Sequence, residues 1–248
     1  MTAKVVVITG ASSGIGAALA ELLAQRGDPV VLVARRQAAL EDVARRCGGQ
    51  ALAIPADMTV RTEVKRAVAG ALERFGRIDV WVNNAGQGIT RLPTELSGED
   101  LDEMIRLNVK TALYGMQEVL PHFVERRKGH VINISSMLGR IPARAFRAAY
   151  NGAKHFLNAL TENFRTEVQE RHPEIQFSLV SPGVVRTNFG TNALYGGPDS
   201  RQLPDSQSAE DVARVIVQVI DSRRPDVYTR PGSRDRVLSY FAATGQDP

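Results

Sequence analysis

The segment Tyr150-Asn-Gly-Ala-Lys154 sets a phenol and an ammonium four residues apart, 14 residues after Ser136 of the Ser135-Ser136 pair. In a helix, positions i and i+4 share one face, so both groups can reach one substrate and one cofactor. A free tyrosine titrates near pH ~10, and a cation held beside it stabilises the tyrosinate and lowers that value. A phenol tuned in this way is a usable general acid/base. The same spacing is also common on ordinary amphipathic helices, so the elements around the pair decide its meaning.

Those elements alternate. Short apolar runs at Val5 to Ile8, Val30 to Val33, Ala51 to Ile54, Val80 to Val82, Val131 to Ile134, Phe177 to Val180 and Val227 to Thr229 read as strands. Most are apolar throughout, the pattern of a sheet covered on both faces. Helical stretches lie between them: Ile15 to Arg26, Gln37 to Cys47 and Arg61 to Phe75, each followed by glycine. Glycine just past a helix supplies a left-handed terminal residue. Longer helices are predicted over Gly98 to Arg126, bent near Pro121, over Ala149 to Arg171, and over Ala209 to Ile220. The irregular stretch Thr187 to Ser208 reads as a candidate lid. No element is assigned after Arg230, and the chain is expected to form one α/β domain over residues 1–248.

At 248 residues, 43% hydrophobic and 23% charged, the chain has ordinary globular composition. The net charge of +4 is spread among acids without an aromatic-interleaved stripe, which argues against nucleic acid as a partner. Cys47 is the single cysteine, and the four histidines share no motif, so neither a disulfide nor a metal centre is expected. No apolar run approaches a membrane span, and the N-terminal residues leave no room for an export signal. A cytoplasmic location, with no membrane partner, is the expectation.

Directly after the first strand comes Thr9-Gly10-Ala11-Ser12-Ser13-Gly14-Ile15-Gly16, a glycine-rich turn opening onto a helix. Glycines allow the tight turn and close backbone approach that a pyrophosphate needs, and the free N–H groups of the helix start favour its charge. The spacing Gly-x-x-x-Gly-x-Gly is a variant of the usual dinucleotide fingerprint. At the end of the second strand a carboxylate would bind the adenosine ribose hydroxyls, whereas an arginine accommodates a 2′-phosphate. Ala34-Arg35-Arg36 stands there, so NADP(H) is favoured over NAD(H). Arg35 is expected to make the phosphate contact, with Arg36 assisting and Ser12 and Ser13 close by.

Taken in order, Thr9-Gly10-x-x-x-Gly14-x-Gly16, Asn83-Asn84-Ala85-Gly86, Asn108, Ser136, Tyr150-x-x-x-Lys154 and Pro182-Gly183 followed by Thr187 resemble the short-chain dehydrogenase/reductase (SDR) family. The resemblance covers roughly Lys4 to Ile220. It implies a Rossmann-like doubly wound domain, with a mostly parallel seven-stranded sheet and helices on both faces. It implies that Asp57 contacts adenine, that Asn84-Ala85-Gly86 lies beside the adenosine, and that Pro182, Gly183 and Thr187 run along the nicotinamide. Asn108 would hold a water near the lysine, and Ser136, rather than Ser135, would bond the substrate oxygen. Tyr150 would exchange the proton as hydride moves to or from nicotinamide C4, while Lys154 binds the ribose and depresses the tyrosine pKa. Relatives assemble through long helices matching Gly98 to Arg126 and Ala149 to Arg171, which implies a homotetramer or homodimer.

The resemblance points to an NADP(H)-dependent reductase or dehydrogenase acting on a small carbonyl or alcohol. A cofactor sensor or scaffold that has lost catalysis shares the fold, although such proteins often lack the tyrosine or lysine. A 3-oxoacyl-[acyl-carrier-protein] reductase shares these motifs, but Ser13 stands where many carry arginine. The spacing from Ser136 to Tyr150 is one residue longer than is common in the family, which points to an altered pocket. Arg140, Arg144 and Arg147 lie in that interval, with Arg91 and Arg186 elsewhere. They read either as solvated surface arginines or as a pocket for anionic substrates.

Overall fold

The runs rich in β-branched residues pack best on a pleated, covered surface, and they become the strands of one sheet. The computed structural model describes residues 3–244. The expected domain limits at Met1 and Pro248 lie outside the described residues. The strands are β1 (Val6–Thr9), β2 (Val30–Ala34), β3 (Ala51–Pro55), β4 (Val80–Asn83), β5 (Gly129–Ile134), β6 (Ile175–Ser181) and β7 (Asp226–Tyr228). Their order is β3-β2-β1-β4-β5-β6-β7, and every neighbouring pair is parallel, where the sequence predicts a mostly parallel sheet.

Alternate residues of each strand feed opposite layers. Val6, Ile8, Leu32, Val82 and Ile132 pack under α1 (Gly14–Gln25), α2 (Gln37–Cys47) and α7 (Ala209–Ser222). Val7, Val31, Trp81, Val131 and Phe177 pack under α3 (Arg61–Phe75), α5 (Thr111–Arg126) and α6 (Ala148–Gln169). This is a single Rossmann-like domain. The chain leaves β1 toward β2 on one side, while β4 occupies the other. That reversal opens a crevice at the carboxyl ends of β1 and β4, the usual ligand position in such sheets.

Two elements differ from the sequence reading. The long helix predicted over Gly98 to Arg126 is divided by a π turn at Arg106–Lys110, between α4 (Gly98–Ile105) and α5. The wider turn carries an extra residue, so Leu107, Asn108 and Val109 are all buried. Pro121, where the sequence predicts a bend, is exposed, and α5 continues past it to Arg126. After Arg230, where no element is expected, the chain forms α8 (Ser233–Thr244). Only Ser233 and Val237 of α8 are buried, so it has no apolar stripe to read. Among the described residues, no helix is long and apolar enough to cross a membrane.

Candidate active site

The turn after β1 is built by close contact. Gly10 has φ +66°, and a Cβ there would come within 2.9 Å of the Ala85 backbone. A Cβ at Gly16 would stand 2.5 Å from the Gly10 carbonyl oxygen. Only hydrogen fits at these two positions, which lets α1 start directly under the turn. Thr9 fixes the opposite wall. Its hydroxyl accepts from the N–H groups of Asn84 and Ala85, both at 3.0 Å, while Asn84 Nδ2 donates to the Thr9 carbonyl at 3.0 Å. The first turn of α1 has no side-chain cap and no acidic residue, so its N–H groups are left for an outside acceptor.

From this turn a continuous cleft of about 1280 Å³ runs across the sheet ends. Of the expected cofactor residues, Gly10, Ser12, Ser13, Gly14, Ile15, Arg35, Arg36, Asp57, Asn84, Ala85, Gly86, Tyr150, Lys154, Pro182, Gly183 and Thr187 line it. Gly16 lies behind the wall. At the β2 end, Arg36 rather than Arg35 is the side chain over the two serines. Its Nη2 donates to Ser12 Oγ at 3.2 Å and Ser13 Oγ at 3.3 Å. Arg35 acts instead on Asp57. Burial pushes the Asp57 carboxyl up, but the Thr59 bonds and the Arg35 and Arg106 charges outweigh it and leave it below the ordinary value. Thr187 sits over the glycine turn, its Cγ2 3.1 Å from where a Gly14 Cβ would stand.

Ser136, Tyr150 and Lys154 line the other end of the cleft. Ser136 follows β5; its Oγ accepts from Leu138 N at 3.1 Å, and the next residue, Met137, is tied by its N–H to the Pro182 carbonyl at 2.8 Å. Ser135 is committed elsewhere, since its hydroxyl donates to Asn158 Oδ1. Lys154 is buried, and its Nζ donates to the Ile134 carbonyl at 2.9 Å, 5.7 Å from the centre of the Tyr150 ring. Asn108 sits behind the wall in the π turn. Its Oδ1 accepts from Gln87 N at 3.2 Å and its Nδ2 donates to Gln87 O at 2.9 Å, so the side-chain amide clamps the segment that follows Gly86.

The direction in which Tyr150 is shifted differs from the sequence expectation. Burial pushes the Tyr150 phenol up to about 12, whereas the pairing with lysine predicts a lowered value. The groups that pull against burial are Ser136 and the Arg147 guanidinium. Burial also brings Lys154 down to about 8. Among the chain's own groups, the removal of both side chains from water dominates.

The five arginines divide. Arg140 pairs with Asp226, Arg91 pairs with Asp100 and lies 3.8 Å over the Tyr195 ring, and Arg186 donates to the Ser206 carbonyl. Arg144 is exposed on the cleft wall. Arg147 is buried at 7% exposure beside Tyr150. Phe189, unremarked in the sequence, places its ring 5.5 Å from that of Tyr150. The 187–208 segment is tied across the site, with Leu194 N donating to Gly88 O and Thr90 N donating to Leu194 O. The position of Arg147, three residues before Tyr150, was the available signal for its place.

Comparison with known proteins agrees with this geometry. The family described as short chain dehydrogenase matches residues 4–194. An uncharacterised oxidoreductase of Staphylococcus epidermidis is 32% identical over 228 residues, 92% of this chain and 97% of the relative. A short-chain dehydrogenase/reductase from Burkholderia phymatum, solved with NAD, superposes with a TM-score of 0.88 at 27% identity, covering 99% of this chain and 97% of the other. An alcohol dehydrogenase from Thermococcus sibiricus, solved with 5-hydroxy-NADP, superposes at 0.79 with 28% identity, covering 92% and 96%. The fold, the glycine turn and these matches together establish that the chain belongs to the short-chain dehydrogenase family of oxidoreductases.

Proposed function

We propose that the protein is an NADP(H)-dependent oxidoreductase that moves a hydride between nicotinamide C4 and a carbonyl or secondary-alcohol carbon, with Tyr150 as general acid/base. The observation that carries this reading is one cleft with an uncapped helix start and two arginines at one end and buried Tyr150 and Lys154 with Ser136 at the other. The glycine cradle, which side chains would fill, fits a pyrophosphate. Bound nicotinamide supplies or accepts the hydride.

The chain's own groups do the rest. A phenol held up to about 12 is protonated at neutral pH, the form that donates to a carbonyl oxygen during reduction. The Ser136 hydroxyl donates a second bond to that oxygen and fixes its position. Lys154 binds the nicotinamide ribose and carries the positive charge that supports proton transfer from Tyr150. Asn108 positions the Gln87 backbone beside Gly86. Arg36, with Ser12 and Ser13, receives the 2′-phosphate, and Arg35 neutralises Asp57 nearby.

Removal of the Tyr150 hydroxyl in Tyr150→Phe is expected to lower NADPH oxidation by a carbonyl panel by about 10²–10⁴-fold. Unchanged turnover contradicts the assignment. For the cofactor, Arg36→Ala is expected to erode the preference for NADPH over NADH, measured as the ratio of dissociation constants, by roughly 10- to 100-fold, the loss of one charge-assisted contact. A ratio unaffected by Arg36→Ala and Arg35→Ala alike refutes the phosphate site.

Lys154 also predicts a pH dependence in the protein without added cofactor. The unfolded chain keeps the lysine proton to about 10.5, while the folded protein releases it near 8. In that window the unfolded state binds more protons, so stability rises with pH. Tyr150 acts in the opposite sense only above its ordinary value of 10.0. Urea unfolding from pH 8 to 10 should therefore show the wild type gaining stability relative to Lys154→Met; a constant difference contradicts the buried ammonium.

A further inference from the structure

We propose that Arg147 is a substrate-binding residue that pairs with a carboxylate, so that the oxidoreductase acts on short oxo acids or hydroxy acids. The inference rests on the carbonyl-reductase reading above and names its substrate class. Arg147 is the N-cap residue of α6, and Tyr150 lies in the first turn of that helix. Its guanidinium is buried yet makes no ion pair with any carboxylate among the described residues. A buried charge without a partner is costly and is normally paired.

Of the five guanidinium N–H donors, one hydrogen bond is formed within the chain, from Nη1 to the Ile89 carbonyl at 2.9 Å. The group occupies a slot between two glycines: a Cβ at Gly88 would lie 2.7 Å from Nη1, and one at Gly197 2.9 Å from Nη2. It borders the cleft together with Tyr150 and Ser136. Of the other four, Arg140, Arg91 and Arg186 are engaged elsewhere and Arg144 is exposed, which leaves Arg147 as the buried arginine on the cleft beside Tyr150. A planar fork of this kind matches a carboxylate in a bidentate pair. The Arg147 charge acts on the Tyr150 phenol and both side chains line the cleft, so a carboxylate on the guanidinium and the carbonyl that Tyr150 protonates fit within one small molecule.

The test compares acetoacetate with methyl acetoacetate, the same carbonyl with and without the charge. Wild type is expected to favour the acid in kcat/KM on the order of 100-fold, the loss when a buried charge is left unpaired. In Arg147→Met that ratio should fall toward one, and Arg147→Lys should recover part of it. An equal fall for both substrates in Arg147→Met assigns Arg147 to holding the Ile89 and Gly197 loops and overturns the proposal, as does a wild-type ratio near one. Binding of acetoacetate to the NADPH complex of Tyr150→Phe, followed by cofactor fluorescence, reads the same contact without turnover. Binding that Arg147→Met abolishes, with no carbonyl reduced by wild type, upholds the subsite and removes the reductase reading. Reduction of the ester as readily as the acid does the reverse.

Discussion

Two cations buried without carboxylates, Lys154 and Arg147, flank one buried phenol, and much of the site's construction answers their cost. An ammonium taken out of water is tolerated only where fixed dipoles replace its hydration. The Ile134 carbonyl at the end of β5 supplies one such dipole to Lys154, and the Ile89 carbonyl supplies one to Arg147. Each acceptor lies outside α6, one at the end of β5 and one in the 88–90 segment. The sheet and the 88–90 segment must therefore be assembled before either charge is accommodated. A site arranged in this way stores positive potential and is relieved by anionic ligands.

The same assembly links the two ends of the cleft. Thr9, at the end of β1, holds the N–H groups of Asn84 and Ala85, and three residues later Asn108 holds both backbone groups of Gln87. The segment after β4 is thus clamped from the dinucleotide end and from the π turn. Behind it, Asn83 accepts from Trp81 Nε1 and donates to Asn133, which donates to Thr161 of α6. A buried polar network of this kind fixes the distance between sheet and helix more narrowly than apolar packing alone.

Much of the fold was legible because strand runs and helix stops are local signals: α2 and α3 begin and end where composition and glycine put them. The π turn was not legible, because one extra residue in a helical pattern leaves the apolar spacing nearly unchanged. α8 was missed for the opposite reason, since it has hardly any buried face. At the site, the glycine turn and the Tyr150–Lys154 pair stood out by type and spacing. The upward shift of the Tyr150 phenol depends on burial, which sequence does not report. The division of labour among the arginines depends on partners such as Asp226, Asp100 and Ile89, brought near by the tertiary fold alone.

The central claim is hydride transfer from nicotinamide C4 to a carbonyl carbon at the Tyr150 end of the cleft. Its most direct measurement is the fate of deuterium from NADPH carrying deuterium at both C4 positions, followed by mass spectrometry of the product. The account predicts an alcohol carrying deuterium on the carbinol carbon, with the hydroxyl proton exchanging with solvent. An alcohol without deuterium, or a cofactor left unoxidised by every carbonyl tried, would contradict it.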